Sequence, residues 1–197
     1  KKTILEQLAN REANFITTLK ANVFDYPRSP YLPLFESAKL THADVERMVT
    51  QQGIENTLEE LYEAGIYITF EEFKGRVPIK RGNIEVHAKE SDFDNLNLTP
   101  ILMGGSGGST GKPSRTKMDL DHVAQCAKQW ALGYSVHGIF HDPLMIWSGG
   151  LPDSTSIIYV LSRAHVGCNI EHWFSPLRGN DANMGWYYTL LTYFMIF

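Results

Sequence analysis

Residues Gly104 to Lys112 constrain this chain more than any others. Five glycines, three hydroxyl residues and a lysine fill them, directly after the apolar run Ile101-Leu102-Met103. A stretch so rich in glycine builds neither a helix interior nor a packed strand, so it predicts a loop delivered by a strand. Glycine lets a backbone take positive φ and approach a ligand closely, so several N–H groups can converge on one anion. Ser106, Ser109 and Thr110 add rotatable donors, and Lys112 adds a full charge. The alternative is a flexible Gly/Ser linker. Thr110-Gly111-Lys112-Pro113 argues against it, because a linker needs neither a lysine nor a φ-locked proline there.

Two familiar phosphate loops do not fit. Aligning Gly111-Lys112 with the Gly-Lys of the NTPase P-loop puts Ser106 where the first glycine belongs. Pro113 then falls where the magnesium-binding hydroxyl should stand, and proline disfavours a helical residue before it. That loop must run straight into a helix whose N–H groups hold phosphate. The dinucleotide pattern Gly-x-Gly-x-x-Gly starts at Gly105 and Gly107 but meets Thr110 at its third glycine.

Ser106-Gly107-Gly108-Ser109-Thr110-Gly111-Lys112-Pro113-Ser114 resembles the glycine-rich loop of the adenylate-forming acyl-CoA ligases, Ser/Thr-Ser/Thr-Gly-Ser/Thr-Thr-Gly-x-Pro-Lys, at seven of nine places. Gly107 departs from a hydroxyl and Ser114 from a lysine. The phenylacetate–CoA ligase branch also lacks that lysine and reads Thr-Gly-Lys-Pro-Thr. The segment Leu58 to Lys74 is similar to the lead-in of bacterial proteins of that branch. The resemblance covers most of the chain, and the loop is its specific motif.

The resemblance implies an α/β fold, in which residues 1–197 are the incomplete N-terminal part of an adenylation domain. It implies ATP-dependent activation of an aryl or other organic acid as an acyl-adenylate, followed by transfer to coenzyme A or a carrier thiol. ATP and Mg2+ would be the cofactors, with Ser106, Gly107, Gly108, Ser109, Thr110, Gly111 and Lys112 cradling the β- and γ-phosphates. By the same resemblance, Trp147, Ser148, Gly149 and Gly150 touch the acid. No residue is assigned to catalysis and no metal site built from protein ligands is expected. A homodimer is among the assemblies open to such a chain. A non-catalytic nucleotide- or anion-binding module that keeps only the loop is the competing reading. The missing initiator methionine and the apolar run ending at Phe197 lead to the expectation of a fragment that is inactive alone.

Net charge of −4 and a pI near 6.0 give no reason to expect nucleic acid or an anionic membrane as partner. Cys126 and Cys168 form no CxxC pair, so neither a disulfide framework nor a zinc site is implied, and a reducing cytoplasm is the default. The longest apolar run, Trp186 to Phe197, is too short to span a bilayer.

Residues 1–75 read as a helical lead-in and 76–197 as an α/β portion. Ile4, Leu5, Leu8, Phe15, Ile16 and Leu19 recur at helical spacing. Thr41 caps a helix that Gly53 ends, and Asn56 with Glu59 opens the next, closed by Gly65. Thr69 with Glu72 repeats the capping signature. Pro27, Pro30 and Pro33 predict an extended connector. Gly82-Asn83 predicts a hairpin between Val77–Arg81 and Ile84–Val86, and residues 88–98 a surface connection. Leu98 to Met103 is expected as the strand before the loop. Asp119 or Asp121 then caps a helix bearing Val123, Ala127, Trp130 and Tyr134, with Gly133 near its end.

Pro143 to Trp147 predicts a buried strand, Asp153 or Ser154 a helix stopped by Gly167, and Cys168 to Trp173 a second strand. This βαβ unit implies a mixed or parallel sheet. Ser148-Gly149-Gly150 lies at a strand's carboxyl end, where ligands collect in such sheets. A buried tryptophan followed by a plain βα turn is the alternative there. His137 and His141, four apart, match a metal-ligand spacing but lack a third ligand, so surface or capping roles are expected. His165 and His172 read as core or rim, and Tyr187, Tyr188, Tyr193 and Phe194 as core or interface.

Overall fold

The computed structural model describes residues 2–105, 114–148, 154–168, 170–174, 186 and 190. They form a mixed α/β protein with small sheets, divided into two units, Lys2–Asn97 and Leu98–Phe197.

The first unit opens with α1 (Lys2–Ala9) and α2 (Arg11–Leu19). The helical spacing is borne out, but α1 buries nothing: Leu5 and Leu8 are 55% and 59% exposed. A π-turn over Lys20–Phe24 ends α2, burying Val23 and bringing Phe24 to 4.8 Å from Phe35. Pro33 belongs to no extended connector. It sits in the first turn of α3 (Leu32–Ala38), where its missing N–H has no helical partner to lose.

Thr41 caps α4 (His42–Glu63) through a reciprocal box with Asp44. Gly53 breaks this helix internally, at φ 80° and ψ 172°. The second half restarts directly after it, ahead of Asn56. Asn56 is therefore not a cap: its Nδ2 donates to the Gln52 carbonyl at 2.8 Å, and Thr57 Oγ1 donates to the Gly53 carbonyl. Gly65 closes the helix, with the Ile66 N–H on the Leu61 carbonyl. Thr69 and Glu72 box the short α5 (Phe70–Phe73) as the sequence predicts. β1 (Ile79–Arg81) and β2 (Ile84–Val86) pair antiparallel across Gly82-Asn83. The core beneath holds Phe35, Val45, Val49, Leu61 and Ile79, each worth about 1.5–3 kcal/mol on full burial. Residues 88–98 are more than a connection, because Phe93 packs on Tyr31 and Phe73.

In the second unit, β3 (Leu102–Gly105) starts later than expected and includes two glycines of the loop motif. Pro100 has no N–H to give a ladder, and pairing begins with the Ile101 N–H on the Met118 carbonyl. β3 pairs antiparallel with β4 (Arg115–Met118), a strand the sequence reading missed. Asp119 caps α6 (Leu120–Val136), accepting the His122 N–H at 2.8 Å. Val123 and Ala127 are buried as expected, but the helix passes Gly133 and stops at Gly138, whose φ is 72°.

β5 (Leu144–Trp147), α7 (Ser154–His165) and β6 (Ile170–Phe174) form the predicted βαβ unit, with β5 and β6 parallel. A bulge at Glu171 shifts the register, since Leu144 faces Ile170 while Met145 faces His172. The expected burial of β5 is corrected: only Ile146 is buried, and Met145 and Trp147 are 63% and 78% exposed. Successive strand residues face opposite ways, and the Met145–Trp147 face has no full cover among the described residues.

Candidate functional site

The phosphate-loop residues Ser106, Gly107, Gly108, Ser109, Thr110, Gly111 and Lys112 lie outside the described residues, as does Pro113. Both of their flanks are defined. Gly105 stands opposite Arg115 and Gly104 opposite Thr116, so the segment leaves one strand and returns on its antiparallel neighbour. The chain after it enters a strand, where an NTPase P-loop would enter a helix. The next helix, α6, has its first-turn N–H already bonded to the Asp119 carboxylate, so that helix end is poorly placed to take phosphate.

β4 adds cations that the motif search overlooked. By strand alternation Arg115 and Lys117 share one face while Met118 is buried on the other. Gly105 faces Arg115, and Met103 faces Lys117. Two basic side chains thus stand on the strand leaving the glycine segment. The polar run Arg-Thr-Lys-Met carries too little apolar alternation to announce a strand.

The second sequence-predicted group sits at the carboxyl end of β5. Ser148 is fixed from three sides. Its N–H donates to the Phe174 carbonyl at 3.0 Å, its carbonyl accepts the Trp173 indole N–H at 3.3 Å, and the Ser156 hydroxyl bonds its Oγ. β6 and α7 therefore lock the start of this turn. Gly149 and Gly150 lie outside the described residues. Trp147 is exposed, not the buried tryptophan of the plain-turn alternative. With Ser148 it borders a cleft of about 250 Å³ that Trp130, Tyr134, Tyr159 and Arg163 also line. Trp130 stacks on Tyr134 at 6.0 Å and meets Tyr159 edge-on at 5.3 Å. Arg163, at the end of α7, holds its guanidinium 4.5 Å from the Tyr134 ring centre. Nothing in the spacing of the sequence singled out Arg163.

The structure does not join the histidines into a site. His137 caps the end of α6 through its backbone, and the His141 ring lies edge-on to Phe140. Among the described residues no group of three His, Cys, Asp or Glu could hold a metal. His165 ends α7, and His172 lies exposed on β6. Tyr187, Tyr188, Tyr193 and Phe194 fall outside the described residues.

A larger cleft of about 520 Å³ lies within the first unit, walled by Tyr31, Phe70, Phe73 and Phe93. Burial pushes the Tyr31 phenol up. Its charged lining is Asp92 and Asp94, which disfavours a phosphate or carboxylate ligand. Size alone does not make it the candidate site.

Among the described residues no helix is long and apolar enough to cross a membrane. Comparison of the chain with protein-family models, with curated proteins and with solved structures finds no match.

Proposed function

We propose that this chain supplies the ATP-phosphate-binding portion of an adenylation domain in an acid–thiol ligase. The carrying observation is the sequence Ser106 to Ser114, bracketed by the antiparallel pair Gly105–Arg115. In this reading the carboxylate of an aryl or other organic acid attacks the α-phosphorus of ATP. Pyrophosphate leaves and an acyl-adenylate remains; a thiol, coenzyme A or a carrier thiol, then takes the acyl group and AMP departs. Carboxylate and ATP repel each other, so phosphate charge must be offset before in-line attack. Ser106, Ser109, Thr110 and the backbone of Gly107, Gly108 and Gly111 supply donors for the β- and γ-phosphates. Lys112 supplies charge, and Arg115 and Lys117 extend the positive field along β4. Magnesium arrives with the nucleotide, and no residue of this chain is assigned to it.

Trp147 and Ser148, with Gly149 and Gly150, are proposed to border the acid. The test is pyrophosphate release by the full-length protein across a panel of carboxylic acids, with and without coenzyme A. Acid-dependent release that Lys112→Ala weakens supports the reading. Nucleotide binding without release under any acid supports the non-catalytic module instead.

A further inference from the structure

The first unit holds a cleft that the acid-activating reading does not use. Its volume of about 520 Å³ falls within the ~300–1,000 Å³ range of small-molecule pockets. Tyr31, Phe70, Phe73 and Phe93 wall it, and its charged lining residues are Asp92 and Asp94. The run Asp92-Phe93-Asp94 thus sets a carboxylate on either side of one aromatic residue along the chain. Both aspartates, with Tyr31, Phe73 and Phe93, are half-buried.

The walls are fixed by contacts within the unit. Phe93 meets Tyr31 edge-on at 6.0 Å and lies 5.3 Å from Phe73. Asp92 Oδ2 accepts the Lys89 N–H at 3.0 Å, and Asn22 Oδ1 accepts the Leu96 N–H at 2.9 Å. Lys74, just after α5, donates to Glu90 at 3.1 Å. Lys74 and Arg76 both stand beside the Phe70 ring, but Glu90 and Glu71 pair with them, so the cleft keeps its acidic sign.

Carboxylates among aromatic faces attract a cation, because the ring faces are themselves negative. The hydrogen bonds decide which kind. A primary ammonium brings three N–H donors that each need an acceptor. In this cleft Asp92 Oδ2, Asn22 Oδ1 and Thr69 Oγ1 already accept backbone N–H groups. A fully methylated ammonium needs no acceptor and packs its methyl groups on ring faces.

We propose that this cleft binds a trimethylammonium group, with Tyr31, Phe73 and Phe93 around the methyls and Asp92 and Asp94 balancing the charge. The cleft shares no residue with the glycine segment or the β5 turn, and its ligand does not rest on the acid-activating reading.

Calorimetric titration of the 197-residue chain tests it. The probes are choline, its neutral isostere with carbon in place of nitrogen, ethanolamine and Mg2+. Choline should bind about tenfold tighter than the isostere, within the range of a partly desolvated cation–π contact. Ethanolamine should bind more weakly than choline. Asp94→Asn should weaken choline several-fold and leave the isostere unchanged, and Phe93→Leu should narrow the choline–isostere ratio.

The wild-type ratios carry the decision where Phe93→Leu fails to fold. Equal affinity for choline and its isostere, ethanolamine binding as tight as choline, displacement of choline by equimolar Mg2+, or no choline binding each overturns the proposal. Once choline binds, phosphatidylcholine vesicles separate the two sources of the group. Co-sedimentation that choline reverses supports a lipid headgroup as the ligand, and its absence supports a free solute.

Discussion

Arg81 binds Glu72 in a two-pronged pair, Nη1 to Oε1 at 2.8 Å and Nη2 to Oε2 at 3.1 Å. The same guanidinium donates to the carbonyls of Gly65 and Tyr67 and lies 3.9 Å from the Tyr67 ring centre. Glu72 Oε2 also accepts the Thr69 N–H, so one carboxylate completes the box of α5 and anchors β1. The Arg81 hydrogen bonds, helped by those from Thr69 against the opposing effect of burial, lower Glu72 from 4.5 to about 2.

That lowering fixes a pH dependence. The folded protein keeps Glu72 ionised at a pH where the unfolded chain already takes up a proton. The stabilisation is therefore complete above pH 4.5 and fades as pH falls toward about 2. Urea midpoints of wild type and Glu72→Gln should differ at pH 7 and converge near pH 2. A constant difference across that range would contradict the assignment. Arg81→Met at pH 7 should cost about 3–5 kcal/mol, since it strands a carboxylate that is 5% exposed.

Gly53 and Gly82 both have positive φ but should respond differently to substitution. Gly53, at φ 80° and ψ 172°, lies in a region used almost only by glycine. A Cβ there would meet nothing closer than 3.8 Å, so the penalty is backbone strain without a clash. Gly53→Ala should lower stability by about 1–3 kcal/mol. Gly82 has φ 55° and open space around it. Gly82→Asn should cost less than about 1 kcal/mol, because asparagine tolerates the left-handed turn. Thermal melts of the two variants give the comparison.

Local rules carried the sequence reading where side chains close local circuits. Thr41, Thr69, Asp119 and Gly65 each act on backbone groups within a few residues, so their roles could be read along the chain. β4 was hidden because its partner, β3, lies across the whole glycine segment and its own residues are polar. Gly53 misled because a broken helix and an ended helix share the same glycine signal. Arg163 was silent for another reason: its burial beside the Tyr134 ring is a property of three-dimensional packing around α6, α7 and β5. The glycine segment itself was the plainest feature in sequence, and beyond Gly105 it lies outside the described residues up to Pro113.

Asp119 gives a test of how the second unit is organised after β4. Its side chain accepts the His122 N–H and its carbonyl the Val123 N–H, turning the strand directly into α6. Asp119→Ala should cost about 1 kcal/mol, and Asp119→Asn should retain most of the stability. Equal losses in chemical denaturation would mean that the cap is not the source.

Residues 1–197 taken alone should bind MgATP weakly and form no acyl-adenylate. They contain the proposed phosphate loop but no Tyr-Gly-x-Thr-Glu segment, the element that the family resemblance assigns to adenine and magnesium. A loop that contacts only phosphate must offset the loss of translational freedom with hydrogen bonds and charge exposed to water and salt. Affinity should therefore fall as ionic strength rises, and Lys112→Ala should weaken it several-fold, about what one salt-screened ion pair contributes. Titration of ATP at two salt concentrations reads both effects. Carboxylate-dependent ATP–pyrophosphate exchange by the isolated chain would overturn the prediction, because it would place a complete adenylating centre within these residues.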